Sequence, residues 1–197
     1  MCSQIILALP KTIDFGFMYS SQKIIAQTKK WITDVVIACN LCPFAAKVVK
    51  AQTVHYQVEN SSELKLCLDS FSLEIERLDN DLTIETSFLI FPDSFRQFGE
   101  YLELVSLAEK LLKRKGYEGI YQVASFHPLY RFANSTDNDA ANYTNRSVYP
   151  MLHLLREESI DLALKNYDSP ENIPERNIKF TSEKGLAYMK MLRDACL

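Results

Sequence analysis

The sequence predicts an α/β fold: a single domain with a three- to four-stranded, largely parallel sheet, helices packed on it, and a long functional loop before a C-terminal helix pair. Three observations carry this expectation. Runs of strand character at 54–58, 84–91 and 120–126 alternate with helical-period segments long enough to act as crossovers. With 197 residues and 47% hydrophobic content, the chain can bury one core but hardly two. From Ser125 onward a polar, aromatic and basic stretch with neither helical nor strand period follows the third strand, where α/β sheets bind ligands.

Residues 1–20 lack a clear period and read as an N-terminal extension, with 5–9 a candidate short strand; the α/β domain occupies 21–197. Ile24, Ile25, Thr28, Trp31, Ile32, Val35 and Val36 recur on one helical face, predicting a helix over 21–40. Pro43 ends it and opens a short helix over 44–50. Period-two alternation predicts a strand at 54–58, and Ser61, Ser62 and Glu63 offer a cap for a helix presenting Leu64, Cys67, Leu68, Phe71, Ile75 and Leu78. The run Phe88, Leu89, Ile90, Phe91 predicts a strand buried on both faces. Pro92, Asp93 and Ser94 stop it and cap a helix burying Phe95, Phe98, Leu102, Val105 and Leu112; Gly116 and Gly119 then lead to the third strand. Pro150 is expected to open a helix reaching residue 165, followed by a last amphipathic helix through Ile178, Leu186, Met189 and Leu192.

The formal charge of −3 and pI near 5.7 provide no positive field for nucleic acid. The basic run Lys113, Arg114, Lys115 falls at a predicted helix end, where cations meet the negative end of the dipole. The early apolar run at 5–9 is too short to span a bilayer and has no basic residues before it, so neither a membrane anchor nor a signal peptide is expected. Five cysteines without the spacing of a disulfide scaffold point to reduced thiols and a cytoplasmic location. The five glycines are scattered, which removes phosphate-loop and dinucleotide fingerprints; no cofactor is expected.

Cys39 and Cys42 form a C-x-x-C, and Cys42 lies at the start of the short helix, where free amides stabilise a thiolate; the alternative is a packed, inert thiol. His127, followed by Pro128 at a strand end, is a candidate general base, general acid or ligand, and the alternative is a histidine that satisfies loop carbonyls; His153 is a second candidate base. His153 and Glu157, four apart on a predicted helix, would share a face, and with His127 they make the one plausible metal set, for iron or zinc. Arg131, Arg146, Arg156 and Arg176, with Tyr143 and Asn145, are candidate substrate contacts, because the guanidinium fork suits phosphate or carboxylate; individually, each arginine can instead tie down loop carbonyls.

The stretches NLCPFA (40–45), SFHPLYRF (125–132) and NYTNRSVYPMLHLLRE (142–157), followed by Glu175, Arg176 and Asn177, resemble the signature of an uncharacterised bacterial family known only as a domain of unknown function. The resemblance covers about residues 27–192 and includes Cys42 but not Cys39, which weakens the redox-pair reading. It implies a single-domain bacterial cytoplasmic protein and carries no catalytic assignment. Three functions are therefore expected in order: an enzyme acting on a small anionic metabolite with Cys42 as nucleophile and His127 or His153 as base; a non-catalytic ligand- or protein-binding module using 127–157; and a metal-dependent enzyme using His127, His153 and Glu157.

Overall fold

The apolar period through Ile24, Thr28 and Trp31 forms helix α1 (Phe15–Trp31), which passes into a π-helical segment at Ile32–Ile37. The bond from Leu41 N–H to the Val36 carbonyl, at 2.8 Å, spans the five residues of a widened turn. The computed structural model describes residues 15–165 and 167–197. The candidate strand at 5–9 lies outside the described residues, and α1 runs across the expected boundary at residue 20.

After the short helix α2 (Ala45–Lys50), the elements run β1 (Val54–Val58), α3 (Leu64–Asn80), β2 (Thr86–Ile90), α4 (Phe98–Arg114) and β3 (Tyr121–Phe126). Residues 127–150 include a 3-10 turn at Ala140–Thr144 and lead to β4 (Met151–Arg156), followed by α5 (Glu157–Lys165), α6 (Ile173–Lys184) and α7 (Leu186–Asp194). The sheet order is β1-β2-β4-β3, with β1 and β2 parallel and β4 antiparallel to both β2 and β3.

The expected largely parallel sheet is therefore corrected to a mixed one. The three strands read from the sequence do point the same way, but β4 is inserted antiparallel between the second and third. Its segment was expected to be the first part of a helix opened by Pro150. The run Met151, Leu152, His153, Leu154, Leu155 has the apolar density of a buried helix and of a central strand alike, and periodicity over so few residues does not separate them. Tertiary burial decides it: Met151, Leu152 and Leu154 are each at most 1% exposed, on alternating faces of the sheet.

One face carries α3 and α4, through Phe71, Ile75, Leu78, Leu104, Ala108 and Leu112 against Leu89, Leu152 and Leu154. The other carries α1, the π-helical segment and Met189 of α7, through Trp31, Val35 and Val36 against Phe88, Ile90 and Met151. Helix α4 begins later than expected because Phe95 takes a left-handed conformation (φ 54°), and Leu102, expected in the core, is 46% exposed. The single C-terminal helix expected is split into α6 and α7 at Gly185, whose φ of 80° is one that glycine adopts without strain.

A central β4 sets a measurable asymmetry. Leu154→Ala should cost about 2–5 kcal/mol in urea unfolding, whereas Leu73→Ala, at a 59% exposed position on α3, should stay within about 0.5 kcal/mol. Equal effects at the two positions would contradict the buried position of β4.

Candidate functional site

Because Phe126 at the end of β3 pairs with Met151 at the start of β4, residues 127–150 leave and re-enter the sheet at one end. The Tyr101 hydroxyl fastens that end, donating to the Met151 carbonyl (2.8 Å) and accepting from Phe126 N–H (2.9 Å). The segment then satisfies its own backbone. Asn142 Oδ1 accepts from Phe132 N–H and Ser135 Oγ, and its Nδ2 donates to the Thr136 carbonyl. Asn145 donates through Nδ2 to the Ser125 carbonyl, and its own carbonyl accepts from His127 N–H. Tyr143 is packed at 2% exposure.

His127 is fully buried and has both ring nitrogens engaged by backbone. Leu129 N–H donates to Nδ1 at 2.9 Å, which fixes the proton on Nε2 and makes that nitrogen the donor to the Phe95 carbonyl at 2.8 Å. Burial holds its pKa below the usual range, the bond to Phe95 opposing only in part. His153 lies on β4, not on a helix, and shares no helical face with Glu157, the first residue of α5. Its ring stacks on Phe88 with 3.8 Å between centroids. Thr86 Oγ1 spends its single proton on the Leu154 carbonyl, so His153 Nε2–H donates to Thr86 Oγ1 at 2.6 Å. The residue retains some exposed surface, yet desolvation of the imidazole pushes its pKa down to about 3. Among the described residues no three His, Cys, Asp or Glu side chains converge as a metal site, so His127, His153 and Glu157 do not form the expected set.

Cys42 is half-buried, and the six-residue α2 that follows it is too short to act as a strong dipole. Its chain segment is tied to α6, where Asn177 Nδ2 donates to the Leu41 carbonyl at 2.7 Å and Arg176 Nη2 donates to the Asn40 carbonyl at 2.5 Å. Cys39 is also a free thiol, and burial raises its pKa. Arg156 joins the other end of the sheet to α3, donating to the carbonyls of Leu78 and Ile84 and to the Tyr121 hydroxyl. Arg156 and Arg176 are thus committed to structural bonds.

Arg131 and Arg146 differ from these because they line a pocket of about 1000 Å³ between the first turn of α4 and residues 125–137. Gln97, Phe98, Gly99 and Leu102 form the α4 wall; Leu129, Tyr130 and Phe132 belong to the other. Arg131 is exposed and pairs with Asp137 at 3.2 Å. Arg146 is only 8% exposed; its Nε donates to the Tyr130 carbonyl and its Nη2 to the Asp137 carbonyl, each at 2.9 Å, and it lies 5.0 Å from the centre of the Tyr143 ring. Among the described residues it forms no ion pair, and its Nη1 has no hydrogen-bond acceptor. A buried guanidinium without a carboxylate, facing an open pocket, is what an anion would complete.

Sequence reasoning named both arginines and missed the opposite wall, where the signal was Gly99 and Leu102 on the first turns of α4. It also passed over a buried cluster on the α3 face. Glu74, 2% exposed, accepts from His55 Nδ1 (2.8 Å), Ser87 Oγ (2.5 Å) and Arg77 Nε (3.1 Å). Burial raises the Glu74 pKa, but the bonds from His55, Ser87 and Arg77 outweigh it and leave the carboxyl below its ordinary value. A carboxylate among Phe71, Ile75 and Leu78 was the available signal. Ser87 is 1% exposed and gives its proton to Glu74, so the cluster binds α3 to β1 and β2 rather than presenting a nucleophile.

A family model described as "Protein of unknown function (DUF1415)" matches residues 23–191. No curated protein and no solved structure matches the chain. Among the described residues no helix is long and apolar enough to cross a membrane.

The two neutral histidines set a pH dependence. Their folded pKa values lie below the unfolded value, so the stability they confer is complete above about pH 6.5 and declines as pH falls through the window below it, by up to about 1.4 kcal/mol per pH unit for each histidine. Between about pH 6.5 and 5, above the main carboxylate range, His153→Gln should remove one proton's share of that slope in urea titrations. An unchanged slope would mean that His153 is not held neutral.

Proposed function

The chain belongs to the DUF1415 family of proteins of unknown function, and from the geometry of its pocket we propose that it binds a small anionic molecule between the first turn of α4 and the 125–137 segment. The observation that carries this reading is Arg146, a nearly sealed cation lining the pocket without a carboxylate partner among the described residues. Two carbonyls and the Tyr143 ring offset part of its desolvation, and no carboxylate contacts it among the described residues. Arg131 at the rim, exposed and shared with Asp137, is the second contact. This is the binding-module reading of the 127–157 segment, combined with the anionic ligand expected for the enzyme reading. Thiol catalysis draws no support from the pocket, whose lining includes none of Cys42, His127 and His153.

Thermal unfolding of the whole protein with acetate, phosphate or benzoate, against chloride at matched ionic strength, tests the reading. At least one anion should raise Tm progressively, about 2.7 kcal/mol of stabilisation corresponding to a hundredfold excess over Kd. The shift should vanish in Arg146→Met and shrink in Arg131→Ala. Absence of a shift with every anion, or an equal shift in Arg146→Met, would overturn it.

A further inference from the structure

The same pocket specifies more than charge. Its charged lining residues are Arg131, Arg146 and Asp137, which together leave one net positive charge. The apolar part of the lining is grouped, with Phe98 and Leu102 on the α4 wall and Leu129, Tyr130 and Phe132 opposite, while Gln97, Ser125, Asn134 and Ser135 supply neutral polar groups. Tyr130 sits at the centre of an aromatic corner, its ring 5.5 Å from Phe98 and 5.0 Å from Phe132, both in edge-on geometry. Leu102 and Leu129 are 46% and 53% exposed on opposite walls of one opening, leaving apolar surface in water that an occupant would cover. A volume near 1000 Å³ is at the upper end of small-molecule sites and far exceeds one oxyanion.

We infer that the ligand is a singly charged organic anion with a flat apolar body, such as an aryl carboxylate, its carboxylate on Arg146 and its body between the Leu102 and Leu129 walls. The inference rests on the anion-binding reading of the pocket. It excludes polyanions as the preferred class, because Arg131 already shares its charge with Asp137 and a second and third negative charge would find no unpaired cation in the lining. It excludes small inorganic anions because they leave both leucines wet.

NMR-detected titration of the full chain with 2-naphthoate, acetate and pyrophosphate separates the outcomes. The inference predicts 2-naphthoate binding at least tenfold tighter than acetate or pyrophosphate, with shifts at Leu102, Leu129 and Tyr130. Leu102→Ser and Leu129→Ser, both at exposed positions, should each cut the naphthoate preference over acetate at least threefold. If acetate or pyrophosphate binds as tightly as naphthoate, or the serine variants keep the full preference, the inference falls while the anion reading stands. If none of the three perturbs the pocket, the anion reading falls with it.

Discussion

The antiparallel insertion of β4 between β2 and β3 is the constraint on which the rest of the molecule depends. It gives the sheet a central strand buried on both faces, and it forces the chain leaving β3 to return to the same end of the sheet. A segment that closes on itself in this way has no ladder to satisfy its backbone, so side chains must do so. Asn142, Asn145, His127 and Arg146 each bond main-chain groups within or next to it. The density of hydrogen-bonding residues in 127–150 follows largely from this topology. Tyr101, reaching from α4 to both strands, couples the closed segment to the helix whose first turn forms the other wall of the pocket.

Arg146 stands apart from the other ties. Asn142 and Asn145 are neutral, and their groups are satisfied locally at no cost in charge burial. A guanidinium 8% exposed gives up most of its water, and two carbonyls and one aromatic face take its place with no carboxylate among the described residues. The retained charge, the open pocket beside it and the exposed leucines on either wall all point to an occupant that is negative at one end and apolar along its body.

Much of this was legible in the sequence, and the failures have physical causes. The helical periods of α1, α3 and most of α4 were legible because each helix buries one face and leaves the other wet, and the alternation of β1 was legible because Val54, Tyr56 and Val58 all face one core. β4 was misread because burial on both faces erases the alternation that distinguishes a strand from a helix. That one error turned the mixed sheet into a parallel one and put His153 and Glu157 on a shared helical face they do not have. Arg131 and Arg146 were legible as candidates from their type, but not the difference between them: one is paired at the rim and the other is nearly buried with no counter-ion among the described residues. That distinction depends on the folding of 127–150, which no local pattern encodes. The Glu74 cluster joins residues from α3, β1 and β2, and only the carboxylate on an apolar helix face hinted at it.

The most direct test of the central claim is an anomalous difference map from crystals of the protein soaked in 4-bromobenzoate, an aryl carboxylate whose bromine reports its own position. The account predicts a bromine peak inside the pocket between Leu102 and Leu129, with the carboxylate in contact with Arg146 Nη1. A map in which the bromine lies only outside this pocket while a carboxylate of the chain itself occupies Arg146 would contradict it.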